Sequence, residues 1–112
     1  MSRSSDPSVN DGVFAALADP TRRRLLELLG ESPGGSSASA LAGRVPVSRQ
    51  AVTQHLAVLE DCHLIARRRQ GREVLFSVEP TELLAAASWL TDRAAIWRDR
   101  LAALKREAEV EA

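Results

Sequence analysis

Cysteine, histidine and net charge are scarce in this 112-residue chain, and each shortage excludes something. A single cysteine, Cys62, cannot close an intrachain disulfide. It fits a reducing compartment, so a cytoplasmic protein is expected. No apolar run approaches a membrane span, and no membrane partner is expected. The stretch from Met1 to Asp11 is polar and lacks the apolar centre of a signal peptide. Residues 1–11 read as a disordered arm ahead of one small domain, residues 12–108. No nucleophile–base pair, glycine-rich phosphate loop or evident carboxylate pair is present, so neither an enzyme nor any catalytic residue is expected. The apolar fraction of 45% supports a core, but a small one, which favours oligomerisation.

A net charge of +0 argues at first against a nucleic-acid partner. The distribution reverses that. Residues 32–72 hold Arg44, Arg49, Arg67, Arg68, Arg69 and Arg72 against only Glu60 and Asp61. Residues 73–112 hold eight acids against five bases. Phosphate binding needs a local positive patch, not a positive total.

The patch contains the strongest pattern in the chain. Ser48 is a good N-cap for a helix that begins at Arg49. Val52, Leu56 and Leu59 recur at the spacing of one buried helical face. Gln50, Thr53, Gln54 and Ala57 fall on roughly the opposite side. An ordinary solvated helix would carry mostly Glu and Lys there. Short hydrogen-bonding side chains, with Arg49 in the first turn, suit a helix aimed into a major groove.

Elements on either side complete a motif. Val13, Phe14 and Leu17 suggest a first helix. Asp19-Pro20-Thr21 opens a second, with Asp19 or Thr21 as cap, Leu25, Leu26 and Leu29 inward and Gly30 as the stop. Ser32 to Ser37 reads as a loop. Ala38 to Arg44 is a short third helix with Leu41 facing the core, and Gly43 to Val47 is the turn before the helix from Ser48 to about Cys62. Leu64–Arg69 and Glu73–Val78 read as strands, the second with Val74, Phe76 and Val78 alternating. Gln70-Gly71 can turn the hairpin, which forms a wing. The expected fold is mainly α with a small β-hairpin, a winged helix-turn-helix. Alternation points Arg67 and Arg69 one way and Arg68 the other, so not all can touch one duplex.

Pro80-Thr81 starts a last helix that runs to about Glu107. Leu83, Ala87, Leu90, Ala94, Trp97, Leu101 and Leu104 alternate steps of four and three, an a/d seam. The reading is a long terminal dimerisation helix and a homodimer. Trp89 and Trp97 suit core or dimer packing better than a ligand pocket. Cys62 and His63, adjacent at a helix end, point about 100° apart and do not make a metal pair.

With this order of elements in hand, the chain resembles the ArsR-type winged helix-turn-helix repressors from about Val13 to Lys105. The resemblance rests on Ala18-Asp19-Pro20-Thr21-Arg22-Arg23, on Ser48 through Leu56 with Val58-Leu59, and on Leu64-Ile65 and Gly71-Arg72. It implies dimeric binding to double-stranded operator DNA, released by a signal. Arg49, Gln50, Thr53 and Gln54 are then expected to specify sequence. Ser48, His55, Arg44, Arg67, Arg68, Arg69 and Arg72 are expected to position the phosphate backbone. Many members carry metal ligands before the turn or in the last helix. Here the first stretch is Ser37-Ala38-Ser39-Ala40-Leu41, and the last helix has no histidine or cysteine. No metal and no cofactor are expected. Ile96 through Leu101 resembles the metal-independent branch. The effector, small molecule or protein, is left open. The alternatives are a metal or redox sensor using an unrecognised site, and an interaction module that kept the fold.

Overall fold

A computed structural model describes residues 10–111. Seven elements follow one another: α1 (Asp11–Leu17), α2 (Pro20–Gly30), α3 (Ala38–Ala42), α4 (Arg49–Asp61), β1 (Ile65–Gln70), β2 (Glu73–Val78) and α5 (Thr81–Glu111). The fold is the expected one, mainly helical with a single antiparallel hairpin and a long last helix.

Each of the first four helices starts at a polar cap that satisfies an otherwise orphan amide. Asn10 accepts from the Gly12 amide, Ser37 from Ala40 and Ser48 from Ala51. Asp19 accepts from Thr21 at 2.8 Å and Arg22 at 3.1 Å, with Pro20 at home in the first turn. Asn10 and Asp11 therefore do not belong to an arm. Asn10 also donates to the Cys62 carbonyl, tying the start of α1 to the end of α4. The rest of the expected arm lies outside the described residues. At the other end, α5 continues past residue 108 to Glu111.

The Arg22 amide bond, with the Thr21 amide adding, holds the Asp19 carboxyl below its ordinary value, against the opposing effect of burial. A depressed folded pKa contributes stability that is present above the unfolded value and lost as pH falls through the folded one. Asp19→Asn, which keeps a capping oxygen, is expected to flatten the acid limb of a melting-temperature profile below about pH 4. An unchanged limb would show that other carboxylates set it.

The core forms where the apolar stripes converge. Val13 and Ala16 of α1 meet Leu25, Leu28 and Leu29 of α2, Leu41 of α3, and Val52, Leu56 and Leu59 of α4. Leu64, Ile65 and Phe76 close it from the hairpin and Ala86 from α5. No polar or charged residue is buried among the described residues.

Helix α4 ends in a way its sequence does not announce. His63 adopts a left-handed φ of 63°, and the Leu64 amide reaches back to the Leu59 carbonyl at 3.0 Å while the His63 amide bonds Glu60. This is a Schellman closure with histidine where glycine is usual. It turns the chain sharply from α4 into β1.

The hairpin pairs Ile65 with Val78 through Gln70 with Glu73. Gly71 supplies the positive φ, 63°, at the first residue of its two-residue turn, as in a type II′ hairpin. The segment read as a plain loop also joins the sheet. Ser36 exchanges both backbone hydrogen bonds with Phe76, at 2.8 and 2.9 Å. Gly35 permits this: its φ is 97°, and a Cβ there would lie 3.1 Å from Leu75 Cβ.

Helix α5 packs on α1 only near its start. Leu83, expected on the seam, is half-buried and packs in part against the chain's own core. The reason is position: one turn from the buried Ala86, it still overlies the domain. Trp89 meets Phe14 at 5.8 Å between ring centroids. From Ile96 to Val110 every residue is exposed. No helix among the described residues is long and apolar enough to cross a membrane.

Candidate nucleic-acid interface

Helix α4 buries Val52, Leu56 and Leu59 and turns Arg49, Gln50, Thr53, Gln54 and Ala57 outward. Its N-terminal turn opens onto a cleft between the start of α3 and the wing. Ser37, Ser39, Arg49, Thr53, Arg72 and Glu73 line that cleft. Arg49, Gln50 and Gln54 have no side-chain partner among the described residues, so their donors and acceptors are uncommitted. Thr53 differs. Its hydroxyl donates to the Arg49 carbonyl at 3.1 Å, which leaves its oxygen lone pairs and its methyl for any partner. Arg44 is exposed in the turn between α3 and α4.

The wing arginines separate by strand face. Arg67 stands opposite Phe76 and Arg69 opposite Val74, while Arg68 shares the other face with Leu75. Arg67 grips Glu60 with two bonds of 2.8 Å, and its guanidinium lies 5.2 Å from the Phe76 ring centroid. The Arg67 fork holds the Glu60 carboxyl below its ordinary value, against burial, and Glu60 raises Arg67 in return. The pair is partly solvated, so it adds little to stability while it ties the wing to α4. Arg68 donates to Gln70 and to the Gly34 carbonyl, pinning the loop before α3. Arg69 and Arg72 carry no side-chain bond among the described residues.

His55 has a partner within the chain. It sits half-buried on the flank of α4, its Nδ1 3.2 Å from Nη1 of Arg22. Sequence reasoning marks neither Arg22 nor Glu60 as a site residue. Their bonds span 33 and seven residues, and no periodicity carries such a signal.

Among the described residues no group of three His, Cys, Asp or Glu side chains could hold a metal ion. Cys62 is buried at the end of α4, its thiol 3.5 Å from the Val58 and Leu59 carbonyls, and burial pushes its pKa up. A thiol kept protonated is a poor nucleophile and a poor redox sensor.

A capped helix with an open polar face, a preceding helix and turn, and a flanking basic hairpin define a winged helix-turn-helix DNA-binding protein. A helix-turn-helix domain family matches residues 17–69. The transcriptional repressor SdpR of Bacillus subtilis is 31% identical over 71% of this chain and 87% of its own length. An HTH-type transcriptional regulator of Mycobacterium tuberculosis is 41% identical over 67% of this chain and 68% of its own. Among solved structures, an ArsR-like transcriptional regulator from Rhodococcus sp. RHA1 superposes with a TM-score of 0.81 at 44% identity, covering 88% of this chain and 89% of that one. The chain belongs to the ArsR-type family of winged helix-turn-helix transcriptional regulators.

Proposed function

We propose that the protein is a homodimeric repressor that binds an inverted-repeat operator without a metal cofactor. Each protomer lays α4 in a major groove and sets its wing against the adjoining backbone. The observation that carries this reading is the outer face of α4: Arg49, Gln50 and Gln54 stand exposed and uncommitted beside a basic cleft, backed by a fully buried stripe. Such side chains read base edges, and each good bidentate pair discriminates by about 1–3 kcal/mol. The protein acts in the cytoplasm, and an effector that is not a metal releases it. Selection of bound DNA fragments, followed by footprinting, tests the reading. Two half-sites in inverted repeat are expected, their centres about 10 base pairs or a multiple apart. Binding that ignores sequence would overturn it.

The wing is expected to act through charge. Arg69→Ala with Arg72→Ala should weaken binding to all sequences alike. The slope of log affinity against log salt should become shallower by about 0.9 for each phosphate no longer neutralised. Arg67→Ala, whose charge Glu60 already matches, should leave the slope as it is. An unchanged slope in the double variant would show a solvated hairpin.

Excess zinc, or a strong chelator, is expected to leave both operator affinity and melting temperature unchanged. A ligand that binds only the native state must raise its stability, so a higher melting temperature in zinc would reveal a site. Cys62→Ser should bind the operator as wild type does, before and after oxidant.

A further inference from the structure

Arg22 occupies the third position of α2, where the helix dipole favours an acid and disfavours a cation. Something other than helix stability must hold an arginine there. Its donors show what. Nε donates to the Ala16 carbonyl at 2.8 Å and Nη2 to the Ala15 carbonyl at 3.3 Å. Arg23 adds a bond of 2.7 Å to the Leu17 carbonyl. The carbonyls of the last three residues of α1 thus all accept from two arginines of α2, that of Ala15 in addition to the Ala18 amide. The remaining nitrogen, Nη1, meets His55 Nδ1 at 3.2 Å. A guanidinium only donates, so a hydrogen bond here makes Nδ1 the acceptor and requires the tautomer with its proton on Nε2.

Two connections meet at this guanidinium. One leads through α1, a helix of seven residues too short to stand alone, to Trp89 of α5 by way of Phe14. The other leads to the flank of α4. His55 lies roughly 60° from the Val52 position of the buried stripe, and Gln54 about 100° beyond it. A rotation of α4 that breaks the His55 bond also swings Gln54 and Gln50.

We infer that Arg22 is a positioning residue for DNA reading: through His55 it sets the angle of α4 against α1, and so against the α5 platform. His55 serves as the acceptor in that link and does not touch phosphate. This rests on the reading of α4 as the groove helix.

The test combines spectroscopy with binding, using the full chain. Long-range ¹⁵N–¹H correlation spectra of wild type should show His55 unprotonated at Nδ1. Arg22→Met should shift that nitrogen. His55→Leu and Arg22→Met should each lower operator affinity about tenfold, with little further loss when combined. His55→Gln, whose amide oxygen can accept the same bond, should stay within about twofold of wild type. The salt slope should not change in any of them. A slope shallower by about 0.9 would mean that His55 or Arg22 binds phosphate directly and would overturn the inference. So would a proton on Nδ1, or full operator affinity in His55→Leu. Should Arg22→Met fail to fold, the wild-type spectrum and the two His55 variants still decide. A silent Arg49→Ala/Gln54→Ala variant would sink the groove-helix reading. An active one beside a silent His55→Leu sinks this inference alone.

Discussion

Trp97→Ala is expected to split the proposed dimer, the largest single effect this chain should show. Leu90, Trp97, Leu101 and Leu104 are 52%, 53%, 66% and 63% exposed on the isolated chain, with Ala94 exposed between them. They share one face of a helix whose last half touches nothing else in the domain. A monomer rarely leaves so continuous a stripe to water. Pairing across a two-fold axis covers it with a second copy of itself. Ala94 allows the helices to approach, and Trp97 brings the largest area. Truncating a ring that becomes fully buried costs about 3–5 kcal/mol. That weakens association by about two to three and a half orders of magnitude. Sedimentation at micromolar concentration decides it. A monomeric wild type, or a variant dimer as tight as wild type, would remove the seam from the interface. The Arg22 link adds a second consequence. If α1 rides on α5, loss of the pair should also loosen α4, so operator affinity should fall by more than the loss of one half-site.

What is legible in the sequence is what repeats. The stripe of Val52, Leu56 and Leu59, the caps at Asp19 and Ser48 and the alternation of Val74, Phe76 and Val78 all appear where periodicity and capping chemistry place them. The last helix is legible for the same reason, though its periodicity does not show that Leu83 also packs in part on the domain's own core. A heptad records which residues share a face but not where the domain beneath that face ends. Three features leave no periodic trace. His63 closes α4 in a conformation usually given to glycine. Ser36 adds a bridge to the sheet from a segment rich in Gly and Ser, because its partner lies 40 residues away. The bonds of Arg22 and Arg67 depend on tertiary approach, so a run of arginines does not tell which task the fold gives each. In the wing this matters most: alternation separates the arginines by face, but only the fold shows that Arg67 and Arg68 are bonded while Arg69 and Arg72 keep uncommitted guanidinium groups among the described residues.

Arg49→Ala combined with Gln54→Ala should abolish operator selectivity while leaving the fold intact. Both side chains are exposed and bonded to nothing among the described residues, so their loss opens no cavity and orphans no partner. Surface changes of this kind usually alter stability by less than about 0.5 kcal/mol. On the operator each base reader is worth about 1–3 kcal/mol, and the two sites lie far enough apart on the helix to add approximately. The double variant should therefore lose about 2–6 kcal/mol per half-site on the specific sequence. Arg49 carries charge, so a small part of the loss should also appear on random DNA. Gln54→Ala alone should leave non-specific affinity and the salt slope untouched, because an amide releases no counterion. That contrast separates a base reader from a phosphate anchor. Competition binding against the selected operator and against scrambled DNA, at two salt concentrations, measures both quantities at once. Unaltered affinity and selectivity in the double variant would show that α4 is not the reading helix, whatever its outer face looks like.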